Sequence, residues 1–156
     1  MLLNPYIILG VANQPVIAGD NVWLYYTAIT TKHGGAFPQK QIAIARAEWR
    51  LHGFVSLDAG EQVGTVETVP LPFAADRLTV NADATGGELV VEVLDESGEN
   101  IPGYGKSDCI PVRGDSVRHT VRWRKHIALP SGNPIRLRFS LRNVNLFSYS
   151  VTPEDK

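Results

Sequence analysis

The chain of 156 residues is 44% hydrophobic and 20% charged, so it can bury the core of one ordinary domain, or of one domain with an appendage. Its 15 Lys and Arg residues and 16 Asp and Glu residues give a formal charge of -1, which argues against nucleic-acid binding and does not support binding to an anionic membrane. The single cysteine, Cys109, excludes an internal disulfide and a cysteine-rich zinc site.

The N-terminus lacks the pattern of a signal peptide. Residues 1–5 have no basic segment, and Asn4 and Pro5 interrupt their apolar stretch. No apolar run elsewhere approaches the roughly 20 residues that span a bilayer. The sequence therefore predicts a soluble chain without a membrane partner and leaves its compartment open.

Residues 1–50 predict a β-meander of about three strands. Residues 15–18 and 22–28 are rich in β-branched and aromatic side chains, and the turn-forming Gly-Asp-Asn at 19–21 separates them, which indicates a hairpin. After a loop at 30–38, residues 39–51 lack Gly and Pro and fit either a short helix or a buried strand. The strand is favoured because its neighbours are strands.

Residues 51–156 show the pattern of a β-sandwich. Short runs of alternating apolar and polar residues recur, and Gly, Pro, Asp and Asn separate them. The predicted strands are 64–69, 78–82, 88–94, 118–123, 135–141 and 145–151, with turns at 83–87 and 95–99 and a long loop at about 100–116. The predicted fold is therefore all-β: a jelly-roll-like antiparallel β-sandwich preceded by a short β-meander.

One predicted strand, 135–141, alternates apolar residues with Arg136 and Arg138, and Arg142 follows. This arginine row fits either an anion-binding stripe or the solvated face of an edge or surface strand whose arginine stems cover apolar surface. The second interpretation is favoured.

Several short phrases follow one another in a fixed order along the chain. They are HGFVSLDAG at 52–60, LTVNADATGG at 78–87, VEVLD at 91–95, IPG at 101–103, SDC at 107–109, GDS at 114–116, VRW at 121–123 and RLRF at 136–139. This order resembles the C-terminal region of uncharacterised bacterial proteins related to five-bladed β-propeller glycoside hydrolases of the arabinanase and invertase type. The phrases NVWLYY at 21–26, KHG at 32–34 and IAIAR at 42–46 resemble the final propeller blade of those proteins.

The resemblance implies that residues 1–50 are a final blade and residues 51–156 an appended sandwich. The catalytic carboxylates of the related hydrolases belong to other blades, and no position here matches them, so the resemblance implies a chain that is not an enzyme. Because only one blade precedes the sandwich, the resemblance also implies that the chain is either a truncated piece of a longer protein or the product of a short gene that encodes only the C-terminal part. His33 would then lie near the propeller axis.

The carboxylates that could serve a glycosidase lie in predicted turns. A glycosidase needs two carboxylates flanking one sugar bond, whereas Asx residues in turns bond nearby backbone amides. The turn role is favoured for each member of this set, which is Asp58, Glu61, Asp83, Asp108 and Asp115. A nucleophile–base pair of Cys109 and His119 is likewise disfavoured, because a lone cysteine is usually a small buried hydrophobe.

A structural calcium ion is the one cofactor for which the sequence offers ligands. Calcium sites on jelly-roll sandwiches use carboxylates and backbone carbonyls near the first strand, where Asp58 and Glu61 lie. The four histidines show no helical ligand spacing.

The loop at 100–116 is the predicted carbohydrate-binding surface, with an ordinary ordered loop as the alternative. Tyr104 stands between glycines where a sugar ring could stack on it, and Asp108 and Arg113 share the loop and could bond hydroxyl groups. Trp123 is a further candidate, although its alternation favours the core.

Two functions follow from these patterns. The first is a non-catalytic accessory β-sandwich module of a glycoside-hydrolase-like protein, structural or weakly binding a polysaccharide or oligosaccharide. The second is an assembly module that forms a homo-oligomer through strand edges and has no ligand of its own. The second rests on the apolar residues Val22, Leu24, Ile42 and Ile44, which a single blade cannot bury.

Overall fold

The computed structural model describes residues 7–32, 34–73 and 76–153, and every regular element in these ranges is a β-strand. These ranges contain no helix of the length and apolarity that crossing a membrane requires. The all-β antiparallel fold is confirmed. The strands are β1 (Ile7–Val11), β2 (Val16–Ala18), β3 (Asn21–Ile29), β4 (Ile42–Arg50), β5 (Leu57–Ala59), β6 (Gly64–Glu67), β7 (Arg77–Leu94), β8 (Val112–Thr120), β9 (Arg136–Arg142) and β10 (Val144–Thr152).

The chain divides into two compact units, Met1–Leu51 and His52–Lys156. In the first unit β3 is central: it pairs with β4 along its whole length on one side and with β1 and β2 on the other. The β2–β3 hairpin turns at Gly19, whose positive φ of 60° suits a tight turn. The interpretation of this unit as a propeller blade stays a prediction, and His33, which would lie near the propeller axis, is outside the described residues.

The structure of the first unit decides between the two alternatives for residues 39–51 and contains one strand that the sequence did not predict. The helix alternative for residues 39–51 is wrong, because β4 pairs with β3 from Ile42 to Arg50. Strand β1 was not predicted. Its Gly10 has a φ of 63° and lies at a register shift between Leu9 and Val11, so the apolar run does not alternate regularly.

In the second unit one long strand organises the sandwich. β7 has 18 residues; its first part pairs with β10 and its second part with β9. β8 pairs with both parts of β7. β5 continues the sheet beyond β10, and β6 continues it beyond β9. The sheet therefore folds over along β7 and encloses one core. The largest fully buried side chains are Trp123, Phe139, Leu78, Leu89, Leu94, Leu137, Val80, Val91, Val93, Val121 and Val144.

The predicted turn at residues 83–87 is wrong, because β7 runs through it. The pairing of β7 with β8 jumps from Ala84 to Leu89, so the residues between them bulge out of the ladder without ending the strand. Gly87 lies against the turn between β9 and β10, where a Cβ would overlap the carbonyl oxygen of Arg142. The glycines thus permit a bend and a close backbone contact within one strand.

The predicted loop at about 100–116 is shorter in the structure, because β8 begins at Val112. Gly114, with a φ of 80°, lies inside this strand, and such a glycine favours the prediction of a loop in this part of the sequence. β8 ends at Thr120, and Trp123 follows in an isolated bridge with Cys109.

Candidate functional site

A cleft of about 380 Å³ opens beside Tyr104 in the second unit, and we call it the Tyr104 cleft. Three separate parts of the chain form its wall: the start of β7, the loop after β7, and the loop between β8 and β9. Its lining residues are Asp76, Arg77, Tyr104, Lys125, His126, Ile127 and Ala128.

The loop that carries Tyr104 is held by backbone hydrogen bonds to the end of β7. The amide of Val93 donates to the carbonyl of Tyr104 at 3.1 Å, and the amide of Ile101 donates to the carbonyl of Val93 at 3.2 Å. Gly103, with a φ of 87°, brings the backbone against His126, because a Cβ built there would lie only 2.7 Å from Nε2 of that imidazole. Glycine at position 103 therefore allows the loop to approach the cleft wall.

Tyr104 itself is buried, with 7% of its surface exposed. Its ring stacks on His126 at a centroid distance of 4.5 Å and an interplanar angle of 8°, and it makes a T-shaped contact with Trp123 at a centroid distance of 5.0 Å. Its hydroxyl donates to the carbonyl oxygen of Ala128 at 2.9 Å. Burial raises the pKa of Tyr104 above its ordinary value. The expectation of a solvent-exposed Tyr104 platform is therefore wrong, because the ring packs into the core at the base of the cleft.

Trp123 is a core residue, as its alternation favoured, with 2% of its surface exposed. Its indole Nε1–H donates to the carbonyl oxygen of Val91 at 2.9 Å. The ring therefore supports Tyr104 from within the core and offers no face to a sugar.

The other two predicted binding residues have structural partners. Asp108 accepts a hydrogen bond from the amide of Gly105 at 3.1 Å, as a turn carboxylate does. Arg113 lies on β8 and forms an ion pair with Glu88. Of the four predicted residues, Tyr104 alone is among the described residues that line the cleft. A binding role for Asp108 and Arg113 stays a prediction.

Comparison with known proteins identified no relative: no family model, no curated protein and no solved structure matches the chain. The resemblance to propeller-related glycoside hydrolases stays a prediction.

Sequence reasoning missed Asp76, Arg77, Lys125 and His126. A signal for Lys125 and His126 was present, because residues 116–153 contain no Asp or Glu, so positive charge accumulates in that stretch. Its meeting with the start of β7 could not be inferred, because about 50 residues of chain separate the two segments.

The candidate calcium ligands, Asp58 and Glu61, are both exposed. Within the described ranges, no group of three or more His, Cys, Asp or Glu side chains could hold a metal ion. Asp58 lies in a row of paired residues that crosses four strands of the sheet. The order across β5, β10, β7 and β8 is Asp58, Asn145, Asp83 and Asp115. Asp83 accepts a hydrogen bond from the amide of Thr85 at 3.0 Å, which is the local bond expected of an Asx residue.

The arginine row on β9 is paired with glutamates. Arg136 and Arg138 both contact Glu67, at 3.4 and 3.0 Å, and Arg142 contacts Glu88 at 2.6 Å. β9 lies between β6 and β7, so the row is on a surface strand inside the sheet and not at its edge. The solvated-face interpretation agrees with these pairs, since each arginine of the row already contacts a glutamate.

Cys109 and His119 contact different backbone groups. The Cys109 thiol is buried and its sulfur accepts from the amide of Val91 at 3.3 Å, whereas Nε2 of His119 lies 3.2 Å from the carbonyl oxygen of Ala82. Burial raises the pKa of the Cys109 thiol; the Val91 amide opposes this shift and the charge of Glu92 adds to it. A protonated, buried thiol is a poor nucleophile.

The raised pKa of Cys109 predicts a loss of stability in alkaline solution. The folded protein holds this proton more tightly than the unfolded chain, so the contribution is complete below the ordinary pKa of 9.0 and is lost as the pH rises through the folded value. We expect the free energy of unfolding to fall less steeply above about pH 9 in Cys109→Ala than in the parent chain. Urea unfolding at a series of pH values checks this, and parallel curves for the two proteins would contradict it.

Proposed function

We propose that the second unit is a non-catalytic accessory β-sandwich that binds a polysaccharide or oligosaccharide in the Tyr104 cleft. The observation that carries the proposal is the combination in one cleft of an imidazole stacked flat on Tyr104 with the charged residues Asp76, Arg77 and Lys125. The volume of about 380 Å³ lies within the range of about 300–1,000 Å³ that is typical of small-ligand pockets.

Each part of the lining has a role in this proposal. His126, which is partly exposed, offers an aromatic ring to a sugar, and Ile127, which is exposed, offers an aliphatic surface. The carboxylate of Asp76 accepts from sugar hydroxyls, and Lys125 donates to them. The stack of His126 on Tyr104 and the bond from Tyr104 to Ala128 hold this wall rigid before a ligand arrives, which lowers the entropic cost of binding.

Binding without hydrolysis fits the acid content of the cleft. Glycoside hydrolysis uses a pair of carboxylates on either side of the scissile bond. Among the described lining residues Asp76 is the one carboxylate, and the remainder are basic, aromatic or aliphatic.

Calorimetric titration against a panel of plant and algal oligosaccharides and polysaccharides tests the proposal. We expect saturable binding by at least one member, and we expect Asp76→Asn to weaken it roughly tenfold, because a charge-assisted hydrogen bond becomes a neutral one. Glu61→Gln is the matched control: it removes an exposed carboxylate outside the cleft lining and is expected to leave the affinity unchanged. Flat titrations across the panel, with a folded protein by circular dichroism, would contradict the proposal.

One observation favours the second function, assembly through strand edges. In the described residues β4 pairs on one side alone, with β3, and it exposes 55% of Ile42 and 82% of Ile44. Exposed apolar residues on an edge strand promote pairing with another chain. Of the other two residues that suggested assembly, Val22 is buried and Leu24 is half-buried, so they do not contribute an exposed face.

Sedimentation velocity distinguishes assembly from a monomer. Under this second proposal the parent chain sediments as an oligomer and Ile44→Lys sediments as a monomer, because a charge on the edge opposes strand pairing. The control is Ile127→Lys, which adds the same charge at an exposed isoleucine of the second unit. A parent chain that is monomeric at all concentrations would exclude assembly.

A further inference from the structure

Positive charge is unevenly distributed along this nearly neutral chain. Residues 116–153 contain no Asp or Glu. The same stretch contains the cations Arg118, Arg122, Arg124, Lys125, Arg136, Arg138 and Arg142. Whether this excess reaches solvent depends on which of these cations the fold pairs with carboxylates from elsewhere in the chain.

Several arginines of the sheets form ion pairs with glutamates. Glu67 pairs with two arginines of β9, and Glu88 pairs with Arg142 of β9 and Arg113 of β8. In the first unit Arg46 pairs with Glu48 at 2.9 Å. Each of these five arginines therefore contacts a glutamate on a neighbouring strand or on the same strand, although Glu67 and Glu88 are each shared by two arginines.

The loop between β8 and β9 is different. Arg122, Arg124 and Lys125 are all exposed there, and none of them forms an ion pair with a carboxylate among the described residues. Nε of Arg124 donates to the backbone carbonyl of Ser107 at 3.2 Å, which anchors the side chain but leaves its charge uncompensated. Lys125, the next residue, lines the Tyr104 cleft.

The side of the cleft that the loop between β8 and β9 forms therefore carries positive charge. Lys125 lines the cleft on this side, and Arg124, the preceding residue, is exposed as well. Neither forms an ion pair with Asp76, the one carboxylate among the described lining residues. A positively charged surface attracts ligands of the opposite sign over a Debye length of about 8 Å at physiological ionic strength, and hydrogen bonds between ionised partners are roughly twice as strong as neutral ones.

We propose that the saccharide bound in the Tyr104 cleft is anionic, with a carboxylate or sulfate group that contacts Lys125. This inference rests on the proposed saccharide-binding function and specifies its ligand class. The sugar ring contacts the His126–Ile127 wall, while the anionic group lies at the cationic side of the cleft. Asp76 accepts from hydroxyls and disfavours a second anionic group beside it.

Two matched probe pairs test the inference by calorimetry on the full chain. The first pair is a short oligogalacturonate and its fully methyl-esterified form, which differ in the charge of the carboxyl group. The second pair is a sulfated oligogalactan and its desulfated form. We expect the charged member of at least one pair to bind about tenfold more tightly than its neutral twin, and we expect added salt to reduce this difference. The pair that responds tells carboxylate from sulfate.

Substitution of Lys125 tests whether this residue causes the preference for the charged probe. Lys125→Gln is expected to lower the affinity for the charged probe about five- to tenfold and to leave the affinity for its neutral twin unchanged. Lys32→Gln makes the same charge change at an exposed lysine of the first unit and is expected to leave both affinities unchanged. An equal loss for both twins in Lys125→Gln would indicate a general structural effect and overturn the inference.

The outcomes separate this inference from the proposed function. Equal affinities for charged and neutral twins would overturn the anionic ligand and leave saccharide binding intact. Absence of binding to both pairs, together with binding to a neutral member of the wider panel, would also overturn the anionic ligand alone. Absence of binding to every saccharide would overturn both.

Discussion

Replacing Gly87 with alanine is expected to lower the free energy of unfolding by about 3 kcal/mol, at the upper end of the usual cost of overpacking. A Cβ at this position would meet the carbonyl oxygens of both Arg142 and Asn143. These are backbone atoms of the turn between β9 and β10, so they cannot move aside as a flexible side chain could. The substitution therefore forces apart the bend of β7 and the turn that packs on it.

The neighbouring glycine is a close control for this prediction. A Cβ at Gly86 has no atom within 4 Å, and Gly86 has no positive φ. Gly86→Ala is expected to be neutral or to stabilise the fold by up to about 1 kcal/mol, because alanine restricts the unfolded chain. Urea unfolding followed by circular dichroism measures both variants. Equal urea midpoints for Gly86→Ala and Gly87→Ala would contradict a close contact between position 87 and the turn.

Replacing Trp123 with alanine is expected to cost about 3–5 kcal/mol of folding free energy, because it empties the largest buried side-chain volume of the core. The indole also contacts the ring of Tyr104 and donates to the carbonyl of Val91. Trp123→Phe retains much of the ring but leaves that carbonyl without its donor, so we expect an intermediate cost of about 1–3 kcal/mol.

An exposed apolar residue of the same loop provides the comparison. Ile127→Ala removes a side chain that is 54% exposed, and we expect a change within about 0.5 kcal/mol. Circular dichroism in urea suits the series, since fluorescence would change with the tryptophan itself. The expected order of stability is Ile127→Ala, then Trp123→Phe, then Trp123→Ala. A Trp123→Ala midpoint equal to that of Ile127→Ala would refute a core role for the indole.

The strands with the clearest period of two were predicted from the sequence. In β9 the residues Leu137, Phe139 and Leu141 are buried, whereas Arg136 and Arg138 remain partly exposed on the other face. Alternation predicts this because successive side chains of a strand point to opposite faces. The buried Cys109 and Trp123 were anticipated on similar grounds, from residue type and alternation.

Local sequence was misleading where glycine occurs inside a strand. Residues 83–87 and Gly114 have the composition of turns, yet the first lie in β7 and the second in β8. Glycine permits a turn, a bulge or a close backbone contact equally well. Pairing with strands from distant parts of the chain decides among these, and no local pattern contains that information.

In the candidate site, too, contacts between distant segments decided what local sequence could not predict. Tyr104 lies in a loop and is flanked by glycines, which predicted an exposed ring, but its ring stacks on His126 and makes a T-shaped contact with Trp123. Both partners come from the loop between β8 and β9, about 20 residues further along the chain. A loop residue becomes part of the core when a second loop packs over it, and composition does not reveal which loops meet.

By itself, the sequence determined the all-β class, the strands with regular alternation and the isolation of the single cysteine. These properties follow from the periodicity of side chains along one strand and from residue counts. Only the tertiary structure brought Asp76 and Arg77 next to Lys125 and His126. Only it showed that the β9 arginines form ion pairs with glutamates, while Lys125 has no carboxylate partner among the described residues. The physical reason is that burial and charge compensation depend on contacts between segments far apart in the chain, which the folded sheet brings together.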